Sequence, residues 1–311
     1  MNEAIVKHGF SWSATRHGTF QDCERAYFFQ YYLATARTLE PDPERALRAS
    51  FLKNLTAIPL WVGSEVHDAI EALLRTSTQG REPDPERAIE EMRARMRRAY
   101  KESIDNSAGK ANDSRHYARF LEHEYAIEIS GDVWKTRVEE ADDMVRSFAR
   151  LPYLAAARAL RAVDLLGLER LEKWAIDGVP VWVKIDFAYR DSDGVAHILD
   201  WKTGKFERGE NPLQMVGYAL YAQSAWGASL DRLQVREVYL RHQDPERFCR
   251  LDDEVLEQGA ATIRRSIASM IEKIADRDLN RARESDFALT DNERICRNCN
   301  FRAICPRWRD A

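Results

Sequence analysis

The sequence predicts an α/β fold, a β-sheet flanked by helices, and three observations carry the prediction. The stretch from Val181 to Lys202 reads as two strands joined by a tight turn. Helical periodicity fills most of the chain before that stretch and long segments after it. A further alternating run, LQVREVYLRH at 233–242, follows one of those helices. Strands set among helices in this way place a sheet at the centre with helices against it.

In VWVKIDFAY, Val181, Val183, Ile185, Phe187 and Tyr189 recur at every second position, the period of a strand. Asp191, Ser192, Asp193 and Gly194 supply the turn, with the glycine free to take a positive φ. In VAHILDWKT, Asp200 and Lys202 are two apart and share a side, while Asp186 lies on the opposite parity from the apolar stripe of its own strand. Pairing of the two strands brings the aspartates together at one end of the sheet. Two carboxylates roughly 6 Å apart at an effective dielectric near 20 repel by about 3 kcal/mol. Lys202 offsets part of that repulsion, and a divalent cation offsets all of it. The group therefore suits Mg²⁺ or Mn²⁺, hard cations that take carboxylate oxygens. The competing reading is two solvated acids and a surface lysine beside a hairpin.

The chain has 311 residues, 44% of them hydrophobic, enough to bury a substantial core. Its formal net charge of −4 leaves no global basic footprint, so any nucleic-acid contact must come from local patches. An apolar run of about 18 residues and a charged-then-apolar leader are both missing from the sequence, which predicts a soluble, cytoplasmic protein with no membrane partner.

Ser11 or Ser13 caps a helix that starts near Ala14. Cys23 precedes the aromatic run Tyr27, Phe28, Phe29, Tyr31 and Tyr32, which covers more than one helical face and predicts burial. Gly63 and Ser64 open a helix with the apolar stripe Val66, Ile70, Leu73 and Leu74, and His67 and Glu71 lie one turn apart on a neighbouring face. Residues 81–165 are dense in charge and helical in pattern. Within them Arg93, Arg95, Arg97, Arg98 and Lys101 are readable as a phosphate contact, or more simply as i,i+4 pairing on a solvated helix. A loop at 109–116 and helices near 115–130 and 136–165 complete a block read as a helical insertion beside the sheet. After the hairpin, Asn211-Pro212 marks a helix start, and Gln214 and Tyr218 share a face. Residues 253–279 form another long helix.

The last stretch carries Cys296, Cys299 and Cys305 in a C-x2-C-x5-C pattern followed by Pro306. In an intracellular protein such a cluster points to metal ligation rather than disulfides. Three thiolates leave one place for Cys23, Cys249 or a histidine, and iron–sulfur and zinc sites both accept four cysteines.

Taken together, these pieces resemble the RecB-like branch of the PD-(D/E)XK nuclease superfamily. The likeness is greatest to its iron–sulfur members, such as AddB-type nuclease domains and the RecB-type nucleases of CRISPR adaptation. It spans nearly the whole chain and rests on an ordered set: GSEVH with His67, VKIDF with Asp186, DWKTGK with Asp200 and Lys202, QMVGY with Gln214 and Tyr218, and Cys23 set against the late C-x2-C-x5-C-P. The resemblance implies a restriction-endonuclease-like core, a central mixed sheet flanked by helices, as a single domain over residues 1–311. The 81–165 helical insertion and a four-cysteine iron–sulfur clamp, formed by residues 287–311 with the Cys23 region, complete it.

By the same resemblance His67, Asp186 and Asp200 are ligands for Mg²⁺ or Mn²⁺. Asp186, Asp200, Lys202, Gln214 and Tyr218 form the catalytic set, in which Lys202 activates the attacking water and stabilises phosphate charge. Gln214 and Tyr218 position DNA or Lys202. Cys23, Cys296, Cys299 and Cys305 hold a 4Fe–4S cluster, with Zn²⁺ as the alternative occupant and Cys249 a spare core thiol. The third acid is Asp where many members have Glu. The implied function is metal-dependent hydrolysis of DNA, exonucleolytic with scope for endonucleolytic cleavage, in repair, recombination or defence. No G-x4-G-K-[ST] motif is visible, so a helicase or other subunit would be a separate chain. The rival reading is a catalytically silent or partner-dependent nucleic-acid-binding or assembly module with the same fold. An iron–sulfur radical enzyme fits less well, because the compact C-x3-C-x2-C pattern is missing.

Overall fold

The computed structural model describes residues 9–105, 118–205 and 213–308. β1 (Trp12–Ser13) leads into α1 (Ala14–Asp22), α2 (Glu24–Tyr31) and α3 (Pro43–Leu52). The Ser13 side chain caps α1 by accepting the Arg16 N–H at 3.2 Å. Then come α4 (Ile58–Thr78), α5 (Pro85–Asp105), the single-turn α6 (Leu121–Glu124), α7 (Gly131–Ala149) and α8 (Tyr153–Ala159). The sheet strands β2 (Leu165–Ile176), β3 (Val179–Arg190) and β4 (Ala196–Lys202) are followed by α9 (Leu213–Trp226), β5 (Leu233–Tyr239) and β6 (Glu246–Phe248). Finally α10 (Asp253–Glu272), the short strands β7 (Ile274–Asp276) and β8 (Arg281–Ala282), and α11 (Glu293–Arg297) bring the chain back to its N-terminal helices.

Several boundaries differ from the sequence expectation for identifiable reasons. α4 starts at Ile58, more than a turn before Gly63, because Pro59 sits in the first turn, where its missing N–H is harmless. Gly63 is interior instead, and a Cβ there would lie 2.7 Å from Thr203 Oγ1. The glycine therefore allows close approach of α4 to the end of β4. The helix expected near 115–130 contracts to α6, and the one expected over 136–165 is interrupted at Pro152, which cannot donate to the preceding turn. The long helix expected over 253–279 ends at Glu272 and gives way to β7. The 109–116 loop and the Asn211-Pro212 helix start lie outside the described residues.

β2 and β3 form a long antiparallel hairpin closed at Asp177 and Gly178, with φ of 50° and 79°, as a two-residue primed turn requires. β4 pairs antiparallel with β3 through Phe187–Leu199 and Ala188–Ile198, and the intervening turn holds Gly194 at φ 82°. β5 runs parallel to β4 and β6 antiparallel to β5, so the sheet is mixed. β1 pairs parallel with β3 at Trp12–Val181. Since β2 occupies one edge of β3, β1 and β4 share the other edge from opposite ends.

Helices pack on the sheet in three groups. Val66, Ile70, Leu73 and Leu74 of α4 are buried with residues of α5, α7 and α8 against Phe187, Leu199 and Trp201. The 81–165 segment thus shares one core with α4 and the sheet. Two of its arginines bind across helices, Arg93 to Asp142 of α7 and Arg95, whose Nε lies 2.8 Å from Glu65 of α4, while Arg87 pairs with Glu91 one turn along α5. On the other side, Met215, Val216 and Tyr221 of α9 cover Val183, Ile185 and Ile198, with half-buried Cys249 at the margin. Phe28, Phe29, Phe287 and Phe301 join α2 to the C-terminal stretch in a third cluster.

α9 and α10 cross at Gly259, where an added Cβ would collide with the Val216 side chain. Gly259→Ala is therefore expected to destabilise the protein by about 1–3 kcal/mol through overpacking. A lower urea midpoint at unchanged m-value would show it; an unshifted midpoint would mean that the crossing relaxes freely.

Candidate active site

Four adjacent strands each contribute one carboxylate to a row across the sheet. Leu168 faces Phe187 and Arg170 faces Ile185, which puts Glu169 opposite Asp186. Phe187 faces Leu199, which puts Asp186 level with Asp200, and Asp200 is in register with Glu237. The four side chains are only 6%, 7%, 5% and 2% exposed for Glu169, Asp186, Asp200 and Glu237. Buried like charges at this spacing are tolerable only if cations are interleaved with them.

The cations come from four elements, α4, β3, β4 and β6. From α4, His67 Nδ1 lies 3.5 Å from both Glu169 Oε1 and Asp186 Oδ1. Lys184 Nζ is 2.6 Å from Glu169 Oε2. Lys202 pairs with Asp200 and lies 3.8 Å from Glu237, whose other oxygen is 3.1 Å from Arg247 Nη1.

Local backbone geometry fixes the central pair. Trp201 N–H donates to Asp186 Oδ2 at 2.8 Å, tying β4 to the side chain of β3 next to the row. From α9, Gln214 Nε2 donates to Asp200 Oδ1 at 3.2 Å and to the Tyr218 hydroxyl at 2.8 Å, while Lys202 Nζ donates to Gln214 Oε1 at 3.1 Å. The Tyr218 hydroxyl is within hydrogen-bond reach of Asp200 Oδ1, at 2.9 Å, and of the Lys184 carbonyl. The one-turn spacing of Gln214 and Tyr218 is what lets both reach the same carboxylate.

Electrostatics couple the three groups at the Glu169–Asp186 end, where, against its burial, the Glu169 carboxyl is held below its usual range by His67 and Lys184. Burial works against charge on His67, yet Asp186 and Glu169 outweigh it and raise its pKa to about 10. Burial first, and the Asp200 charge second, push Asp186 upward. Glu169 Oε1 is buried without a hydrogen-bond partner. Ligand atoms of His67, Glu169 and Asp186 all lie within 4.8 Å of one another. That donor set, one imidazole and two carboxylates, fits a hard divalent cation.

The sequence expectation for the ligands was His67, Asp186 and Asp200. The structure groups His67 and Asp186 with Glu169, and Asp200 stands one strand over in the grip of Lys202, Gln214 and Tyr218. Glu169 and Glu237 were not foreseen.

Cys23, Cys296, Cys299 and Cys305 line one pocket together with Phe29 and Arg302. Cys23 sits at the junction of α1 and α2, and Cys296 on α11. Burial pushes the Cys299 thiol up to about 11, and the neighbouring cysteines add to it. Among the described residues these sulfurs do not form a group as tight as the His67 set. Cys249 stands apart, half-buried, with its thiol pushed up to about 12 by burial first.

A profile of the PD-(D/E)XK nuclease superfamily matches residues 11–306. The chain belongs to that superfamily. Asp200-Trp201-Lys202, with the spacing D-x-K, lies on β4, and Asp186 lies on β3. A solved structure described as a candidate exonuclease from Eubacterium rectale is similar at 12% identity with a TM-score of 0.47, over 99% of this chain and 90% of that one. A protein designated SSO0001 is similar at 16% identity with a TM-score of 0.27, over 56% of this chain and 78% of that one. No curated protein matches. Among the described residues, no helix is long and apolar enough to cross a membrane.

Proposed function

We propose that this PD-(D/E)XK chain is a DNA nuclease that depends on Mg²⁺ or Mn²⁺ and works from DNA ends. The observation that carries the reading is the convergence of His67, Glu169 and Asp186, whose ligand atoms lie within 4.8 Å of one another and include a buried Glu169 oxygen that makes no hydrogen bond, beside the D-x-K lysine. A divalent ion held by His67, Asp186 and Glu169, with Asp200 adjoining, would polarise the scissile phosphate and lower the pKa of the attacking water. The protein's own groups do the rest. Lys202 is aimed along the row by Asp200 and Gln214, where its ammonium stabilises charge developing on the phosphate oxygens. Tyr218 and Gln214 hold Asp200 still, so little reorganisation is needed during reaction. Repair, recombination or defence is the setting proposed, with any helicase on a separate chain.

The test is cleavage of labelled linear and circular DNA, single- and double-stranded, with Mg²⁺, Mn²⁺ or EDTA. Metal-dependent loss of linear but not circular substrate is expected. A folded, metal-loaded protein that cuts none of them would instead point to a binding module. Glu169→Gln keeps the shape of the side chain and removes one charge from the ligand set. It is expected to weaken Mn²⁺ binding by at least about tenfold, by titration calorimetry; unchanged binding would remove Glu169 from the site.

The reading also assigns a 4Fe–4S cluster to Cys23, Cys296, Cys299 and Cys305. Support comes from the pocket that the four cysteines line together with Phe29 and Arg302.

A further inference from the structure

We propose that a single DNA strand reaches the acid row along the β2–β3 hairpin, with Trp182 as the platform on which a base stacks and Lys173 and Lys184 as the phosphate contacts. The identity of the ligand rests on the nuclease reading above. On β3, Trp182, Lys184 and Asp186 alternate with buried Val181, Val183 and Ile185, so the three project to one side. β2 supplies their partners: Lys173 opposite Trp182, Leu171 opposite Lys184, and Glu169 opposite Asp186. Three cross-strand pairs therefore lead away from the acid row, and Trp182 stands about 13 Å from Asp186 at the rise of a strand.

The chemistry of this strip is unusual for a solvent face. Leu171 is 62% exposed although it lies in the middle of a twelve-residue strand. Trp182 is half-buried, with exposed Lys173 Nζ 5.7 Å over its ring. A cation over an exposed aromatic ring is held more weakly than a stacked base, so a base can take the ring and leave the ammonium for the adjoining phosphate. The strip forms one wall of a cleft of about 660 Å³, which Arg16 and the site residues Gln214 and Tyr218 also line. Lys184 lines a second cleft too, of about 460 Å³, with His67, Arg137 and Arg241. The two clefts thus share Lys184, the residue paired with Glu169 at the end of the acid row.

A path of cations and apolar π-surface that passes a phosphate-cleaving site fits a single strand, whose bases are free to leave the stack. A duplex keeps its bases inside and offers nothing to a half-buried indole and an exposed leucine beyond its phosphates.

Titration of fluorescein-labelled oligodeoxythymidylate with the full chain in EDTA, followed by anisotropy, reads binding without cleavage. Trp182→Ala is expected to weaken binding about tenfold and Trp182→Phe to restore most of it. Lys173→Ala should reduce the slope of log K against log salt by about 0.7. A duplex of equal length should bind more weakly and ignore Trp182→Ala. In Mg²⁺, Trp182→Ala should raise KM for the single strand and leave kcat unchanged, a split that a merely structural role would not give. Equal single-strand affinity of wild type and Trp182→Ala overturns the proposal, as does tighter binding of oligouridylate or of duplex. Because binding is read in chelator, absent cleavage would overturn the nuclease reading while leaving the track intact, and an indifferent Trp182 would do the reverse.

Discussion

Asp200→Asn is expected to leave the protein folded and to lower cleavage at saturating Mn²⁺ by at least about a thousandfold, the upper range for removing one preorganised electrostatic group. The substitution keeps the shape of the side chain, and its amide oxygen can still accept from Gln214 and Tyr218. What disappears is the charge that sits between Asp186 and Glu237 and draws Lys202 to the row. The Lys202 ammonium keeps Gln214 Oε1 at 3.1 Å and Glu237 at 3.8 Å but loses the charge that holds it at the centre of the row. The same variant should lose much of its metal-induced stabilisation. A ligand at a hundred times its Kd raises stability by about 2.7 kcal/mol, so the rise in Tm on adding Mn²⁺ should shrink in the variant. Metal-dependent cleavage that survives in purified Asp200→Asn would take Asp200 out of the chemistry.

The second large effect concerns the cysteine pocket. On the proposed cluster assignment, wild type prepared anaerobically should be brown and carry iron, and Cys305→Ser is expected to lose both, together with at least about 3 kcal/mol of stability. The loss should be smaller than for a domain folded by metal alone, because protein contacts also tie the two ends. Arg25 Nη1 and Arg45 Nη1 lie 3.0 and 2.6 Å from Glu284, and Glu24 Oε2 accepts both from Lys273 and from the Ala288 N–H. The core that α4 shares with α5, α7 and the sheet does not include these residues. Hydrogen exchange should therefore speed up in α2 and around 287–305 first, with α4 still protected. Uniform exchange in the variant, or wild-type protein that binds zinc instead of iron, would refute the cluster assignment.

The legibility of this site in the sequence followed from how local each signal was. The β3–β4 hairpin, the Asp200–Lys202 pair and the Gln214–Tyr218 turn depend on spacings of two to four residues, which the periods of strand and helix expose directly. Glu169 and Glu237 depend on partners far along the chain. Glu237 stands in LQVREVYLRH as an ordinary polar position, and only register with Asp200 and the ion pair to Arg247 make it a buried acid. Glu169 is flanked by charges in LERLEK, has a φ of 48°, and belongs to a strand that the sequence reading passed over. One signal for that strand was present: Asp177-Gly178 between two apolar runs is a hairpin turn. β1, at two residues, had no periodicity to read. Pro152 did advertise the break that ends α7, and weight on it would have divided the long helix correctly.

The carboxylate row has a consequence for how this gene can change. Each of its four acids comes from a different strand, and a one-residue slip turns a strand's side chains to the opposite face. A single-codon insertion or deletion within β2, β3, β4 or β5 upstream of its acid would thus silence the site even where the sheet still assembled. The Asp191–Gly194 turn lies between two acids but outside their strands, so length changes should be tolerated there. The layout of the row acts as a reading frame written in space, and drift in chain length is confined to the loops.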